Sequence, residues 1–406
     1  MRDDPQHTEA PIPNVRAGIE EKPAMSPVVL AFAKHVMPQL VWVLSVFIPG
    51  RDSAVARKNA QNNAYIMELV ARVTSILPPR GTYVPLVELV EKCYAMGSFP
   101  ALWAVEGLGH YYGDTFYDRG EPLSNLLTDP KVTGLPSKSL TMLHAGIGLA
   151  FADHGLKHLT PESPAAQIRK ALTEFLDHCR NSSREGYAGA AIESLGLVTR
   201  FFHGLKMAFA VDRHLSELSP QSVGYFWHGA GRAIYFLPPN LLPGLGTPWR
   251  AVIACHREPP HELARQNMLA GLAWATTLVN MRQPKIMASM LKYHGKEFVD
   301  DDAFSNGVVS ATIMRYDTSP DDPYIAPFLT YRPSDPGLAN VWDDLISTPC
   351  RDGIDRLHGV LKEHRSLEAV FQYQSLTGVV DKLENKRPSA SSALQSKDAS
   401  HASAQT

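Results

Sequence analysis

Trp227-His228-Gly229-Ala230-Gly231-Arg232 sets two glycines inside an apolar run that otherwise has the period of a helix. Glycine in a helix interior costs up to ~1 kcal/mol against alanine, so two within one turn need a reason. The same kind of segment recurs on both sides of it. Upstream stand Trp103-Ala104-Val105-Glu106-Gly107-Leu108-Gly109-His110, Leu143-His144-Ala145-Gly146-Ile147-Gly148 and Tyr187-Ala188-Gly189-Ala190-Ala191. Downstream stand Leu269-Ala270-Gly271-Leu272-Ala273-Trp274 and Asn306-Gly307-Val308-Val309-Ser310-Ala311. The central glycines, 107, 146, 189, 229, 271 and 307, follow one another at steps of 39, 43, 40, 42 and 36 residues.

Between these segments lie stretches with helical spacing, such as Leu86, Leu89, Val90, Cys93 and Tyr94, or Ile168, Leu172, Phe175 and Leu176. Each unit therefore reads as two helices joined by a polar or proline-rich loop, the size of a helical-hairpin repeat of about forty residues. The β-branched run Val308 to Tyr316 also fits the sixth helix. The expected fold is all-α, with tandem helical hairpins forming a curved array or a closed α/α cup. Close helix–helix approach explains the glycines most simply, and a ligand-sized space lined by small side chains is the second explanation.

The chain divides by composition. Residues 1–24 are polar and proline-rich and read as a disordered segment, and 25–54 as an apolar helical segment. The repeats occupy 55–316. An Asp-, Pro- and Tyr-rich connector with closing helices covers 317–384, and 385–406 has nothing large to bury and reads as a disordered tail. The apolar stretch Val36 to Pro49 would cover about 21 Å as a helix, short of the ~30 Å hydrocarbon layer. It reads as a docked helix, with a peripheral membrane contact through 25–49 as the alternative.

Lys plus Arg number 39 against 41 Asp plus Glu, so no basic field exists to hold a nucleic-acid backbone. The four cysteines, Cys93, Cys179, Cys255 and Cys350, form no C-x-x-C pair, which argues against a zinc ribbon or a disulfide framework and fits the cytoplasm. No G-x-S-x-G or G-x-x-x-x-G-K-[ST] is present, so nucleophile-elbow and nucleotide-loop chemistry have no support.

The run His228-Gly229-Ala230-Gly231-Arg232-Ala233-Ile234-Tyr235-Phe236 resembles the G-x-G-R-A-x-x-F signature of the UnbL-like proteins. This family of unknown function is found with enediyne-type biosynthetic clusters. Val105-Glu106-Gly107, Leu143 to Ala150, Gly186-Tyr187 and Leu269 to Ala275 follow in the order that family has them, so the likeness spans about Phe99 to Val279. It implies a role in secondary metabolism and carries no defined reaction. The apolar N-terminal segment and the long C-terminal part depart from it.

Several glycine segments carry an ionisable side chain. Glu106 and His110 lie one helical turn apart, as do His228 and Arg232, and His144 precedes Gly146. Helices presenting such groups to one concave side would form an apolar cup with a few acids, bases and a guanidinium. Burial raises the pKa of a carboxylic acid and lowers that of an imidazole, which suits proton transfer. Glu106, His144 and His228 are the acid/base candidates. Arg232 and His110 would hold an anionic or carbonyl group, and Trp103, Trp227 and Trp274 would line the pocket.

Glu106-Gly-Leu-Gly-His110 lacks the H-E-x-x-H order, so no resident metal is expected. Asp114 and Asp118, with Asn181 to Glu185 as a second set, are weak relatives of terpene-cyclase ligands, and Mg²⁺ enters only if the chemistry is of that type. Two readings of function follow. One is a cyclase or isomerase of natural-product biosynthesis acting on a lipophilic polyene- or terpene-like substrate. The other is a non-catalytic helical scaffold or carrier for a partner protein or hydrophobic intermediate.

Overall fold

The computed structural model describes residues 31–47, 52–77, 84–241 and 249–385. The disordered segments expected at 1–24 and 385–406 lie outside these residues, except for Asn385, which ends a helix. Among those described, every regular element is a helix.

A turn at Phe32–Val36 leads into α1 (Met37–Val46), and α2 is Ser53–Arg72. The six glycine segments then fall within six helices: α4 (Ser98–Arg119), α5 (Leu140–Leu156), α7 (Ala188–Val198), α9 (Val223–Phe236), α11 (Glu262–Asn280) and α13 (Ala303–Thr318). Between or before them run α3 (Leu86–Ala95), α6 (Ala165–Ser182), α8 (Gly204–Leu218), α10 (Arg250–Arg257) and α12 (Pro284–Val299). The two sets differ in how they bury themselves. α5 and α11 are buried almost all round, as helices enclosed by others must be. α6 buries a single stripe, Ile168, Leu172, Phe175, Leu176 and Cys179, and leaves its other face in water.

The glycine helices pack against one another in chain order: α4 on α5, α5 on α7, α7 on α9, α9 on α11 and α11 on α13. Gly109, Gly146, Gly229, Gly231, Gly271 and Gly307 sit at these crossings. A Cβ at Gly109 would lie 2.5 Å from the carbonyl oxygen of Leu143, and one at Gly146 2.2 Å from that of Glu106. The same holds at Gly229 (2.0 Å from Glu193 O), Gly231 (2.1 Å from Met268 O) and Gly307 (2.1 Å from Ala270 O). No side chain fits at such distances, so backbone meets backbone. The last glycine helix also touches the first, because Arg315 and Ser319 both donate to the carbonyl of Ser98.

Gly97, with φ +100°, turns the chain sharply between α3 and α4 and so fixes where Ser98 and Phe99 stand. The connector after Tyr316 is more helical than its composition suggests, with short pieces at Ile325–Leu329 and Pro336–Trp342. The C-terminal part shares the main core through Leu361, Leu367, Val370, Phe371 and Val380. It clasps α7, where Glu368 accepts the N–H of Gly189 at 2.9 Å and donates its own N–H to Gly186 O at 2.9 Å.

α1 is reversed relative to an ordinary surface helix. It turns the small or polar side chains Pro38 and Ser45, with Val41, toward the protein. Phe32, Val36, Leu40, Trp42, Val43, Leu44, Val46 and Phe47 remain exposed. Among the described residues no helix is long and apolar enough to cross a membrane.

Candidate functional site

Three of the residues singled out in the sequence meet in the core, joined by a fourth. Arg232 of α9 donates from Nη2 to Glu106 of α4 at 2.7 Å and from Nη1 to Glu193 of α7 at 2.6 Å. Glu193 turns its other oxygen to His228 Nδ1 at 2.9 Å. His228 and Arg232 stand one turn apart on α9, so one carboxylate spans both. Helices can converge like this only because glycines thin the walls beside the charges: Gly229 rests on the backbone of Glu193 and Gly271 on that of His228.

Trp274 of α11 completes the cluster. The Arg232 guanidinium lies 4.6 Å from its ring centroid, and the His228 ring meets it edge-on at 5.9 Å. Phe371 from the C-terminal part covers the indole at 5.7 Å.

Burial works against the charged form of Arg232, but the adjoining Glu193 and Glu106 carboxylates outweigh it and hold the guanidinium more firmly protonated than usual. For His228 burial prevails over the raising effect of Glu193, and the imidazole is held below its ordinary range. It is therefore neutral at pH 7. With Nδ1–H donated to the carboxylate, Nε2 carries the lone pair. That nitrogen is buried and has no hydrogen-bond partner among the described residues. The indole N–H groups of Trp103 and Trp274 are also buried, with no partner among the described residues.

The other expected residues sit elsewhere. His144 is buried, but its Nδ1–H donates to Leu140 O at 2.6 Å and its Nε2 accepts the Arg184 N–H at 3.0 Å. It stacks on Tyr187 and ties α5 to the start of α7. Burial lowers its pKa to about 4. The expectation that His144 joins Glu106, His228 and Arg232 is thus corrected: both its nitrogens are occupied by backbone. Trp227 points the other way from His228 and donates to Asp212 of α8 at 2.6 Å. His110 is half-exposed, 3.7 Å from Asp114.

Asp114 accepts from His154 at 2.9 Å, and Asp118 is exposed. In the second set expected for Mg²⁺, the Ser182 hydroxyl donates to Leu123 O and the Arg184 guanidinium to Leu127 and Val132 carbonyls. Those residues anchor the loop between α4 and α5. Among the described residues no three or more His, Cys, Asp or Glu stand together as a metal-ligand group.

Glu193, the hub, flanks the third glycine segment in the sequence but is not among the acid/base candidates read there. Its signal is a repeated E-x-L-G: Glu106-Gly-Leu-Gly109 and Glu193-Ser-Leu-Gly196 put an acid three residues before a crossing glycine. Arg232 needed a carboxylate on each side, and that repeat supplies both. Compared with family models, with curated proteins and with solved structures, the chain matches none.

Proposed function

We propose that the chain is an acid/base enzyme of secondary metabolism, a cyclase or isomerase acting on a lipophilic polyene- or terpene-like substrate, with His228 as the base. One observation carries the reading: a neutral imidazole, oriented through Nδ1–H by Glu193, whose Nε2 lone pair is buried beside Trp274 with no partner among the described residues. A base needs this, since an imidazole already bonded at both nitrogens, such as His144, has no lone pair to offer. His228 Nε2 would take a proton from a substrate carbon, and Glu193 would stabilise the resulting imidazolium. Glu106 is the second acid/base group.

Arg232 takes a different role from the one expected in the sequence. With a carboxylate on each side, its guanidinium positions Glu106 and Glu193 rather than holding a substrate anion. The kinship with the UnbL-like proteins belongs to this proposal and agrees with a biosynthetic role.

The six glycine helices are read here as six forty-residue hairpin units closed into an α/α cup. Two contacts support closure over an open array: the bond from Arg232 on the fourth glycine helix to Glu106 on the first, and those from Arg315 and Ser319 on the sixth to Ser98 on the first. In an open stack the first unit would touch only its neighbour.

The second reading, a non-catalytic scaffold or carrier, is favoured by the pairing of the Glu106, Glu193 and Arg232 charges among themselves. The test is to incubate purified protein with a lipophilic extract of polyenes and terpenoids and follow the products by mass spectrometry. The enzyme reading expects a product formed by the wild type and reduced about 10²-fold or more in a folded His228→Gln variant. Equal product from both would remove it in favour of the scaffold.

A further inference from the structure

Arg282, in the turn between α11 and α12, is half-buried, and its surroundings are aromatic. Its guanidinium carbon lies 3.8 Å from the Phe99 ring centroid, 5.3 Å from that of Tyr65 and 5.9 Å from that of Tyr324. Tyr65 and Phe99 lie parallel at 6.2 Å, so α2 and α4 together frame the cation. A second guanidinium, Arg315, stands 5.2 Å from the Phe99 ring, but Asp322 pairs with it and the Ser98 carbonyl accepts from it.

Arg282 has no such partner. Among the described residues no carboxylate or carbonyl accepts from it, whereas Arg200 has Glu258, Arg232 has Glu106 and Glu193, and Arg265 has Glu262 and Asp301. Burial accordingly lowers its pKa, against a small opposing effect of the two tyrosines, where carboxylates raise that of Arg232. A guanidinium stacked by its face keeps its N–H edge free, in the fork geometry that suits a carboxylate or phosphate. The Tyr65 and Tyr324 hydroxyls have no hydrogen-bond partner among the described residues either, and Tyr324 is 41% exposed.

The place of this unmatched cation adds a second observation. Phe99, Trp103 and Glu106 follow one another at i, i+4 and i+7 on one face of α4, and the Phe99 and Trp103 rings meet at 6.3 Å. Arg282 thus marks the outer end of an aromatic ladder whose inner end is the Glu106–Arg232 pair. The span from Phe99 to Glu106 is about 10 Å along the helix.

We propose that Arg282, with the Tyr65 and Tyr324 hydroxyls, binds the carboxylate or phosphate head group of an amphipathic ligand whose apolar part is directed along Phe99 and Trp103. The inference rests on the proposed lipophilic substrate and names its polar end.

Titration calorimetry with octyl phosphate, octanoate and octanol, below micelle-forming concentrations, tests it and separates the two anion sources. The wild type should bind one or both anions at least tenfold more tightly than the alcohol. Arg282→Gln should abolish that preference at an unchanged melting temperature. Tyr324→Phe, a smaller change at an exposed site, should weaken anion binding several-fold without affecting octanol. No head-group preference in the wild type, or the same preference in Arg282→Gln, would overturn the proposal. The base is tested separately: His228→Gln should keep anion binding whether or not it loses turnover, so the two readings fail independently.

Discussion

Glu193 holds His228 and Arg232 with its two oxygens, at 2.9 and 2.6 Å, and is itself fully buried. The carboxylate orients the imidazole that offers Nε2 and neutralises the arginine that reaches Glu106. Removing one member of a buried ion pair leaves the rest uncompensated, which costs about 3–5 kcal/mol. Glu193→Ala should therefore lower stability by that order in denaturant unfolding. Glu106→Gln keeps its volume and one hydrogen bond to Arg232 and should lose clearly less. Equal losses would mean that Glu193 is not the hub.

The helix crossings make a paired prediction. A methyl at Gly231 would meet the Met268 carbonyl at 2.1 Å, whereas one at Gly155, on the same kind of helix, meets nothing within 4 Å. Gly231→Ala should destabilise by about 1–3 kcal/mol or more through overpacking. Gly155→Ala should be neutral or stabilise by up to ~1 kcal/mol through helix propensity. Thermal melts of the two variants check this, and similar behaviour of both would contradict backbone contact at the crossings.

That contrast shows what the sequence carried. Recurrent glycines signalled close helices, and at 146, 229, 271 and 307 backbone does meet backbone, whereas Gly107 faces the Val73 side chain and Gly189 the Tyr225 ring. Partner choice was less legible. His144 and His228 occupy similar places beside glycines, yet one is consumed by the Arg184 amide and the other faces Glu193. The difference depends on how each helix rotates against its neighbours, which a single sequence does not encode locally. Arg282 was missed for the same reason, since its aromatic frame comes from three distant segments.

His144 gives a pH dependence with a defined sign. Its pKa is lowered by burial to about 4, below the ordinary 6.5, so the unfolded chain binds the proton more readily. The stability it contributes is present above pH 6.5 and is lost as pH falls toward 4, on the order of 3 kcal/mol in all. Unfolding free energies of the wild type and His144→Gln between pH 7 and 4.5 should converge on acidification. A constant gap between them would contradict the buried neutral imidazole.

The exposed side of α1 predicts a membrane-surface contact. Eight large apolar side chains face outward from Phe32 to Phe47, while Arg57 and Lys58 follow on α2. Flotation with vesicles containing anionic lipid should recover the wild type, and Trp42→Glu with Phe47→Glu should reduce recovery at least tenfold. Unaltered flotation of the double variant would assign the binding elsewhere. Concentration-dependent self-association lost in the same variant, without flotation of the wild type, would instead assign the face to a second copy.

The proposed chemistry requires His228 to be a neutral imidazole with its proton on Nδ1 and its lone pair on Nε2. Long-range ¹H–¹⁵N correlation of histidine-labelled protein, with His228→Gln to assign the signal, reads that state directly. A single neutral Nδ1–H tautomer is expected for His228 at pH 7.5 and at pH 7, because burial holds its pKa below the ordinary range. An Nε2–H tautomer, or a doubly protonated ring at pH 7, would contradict it.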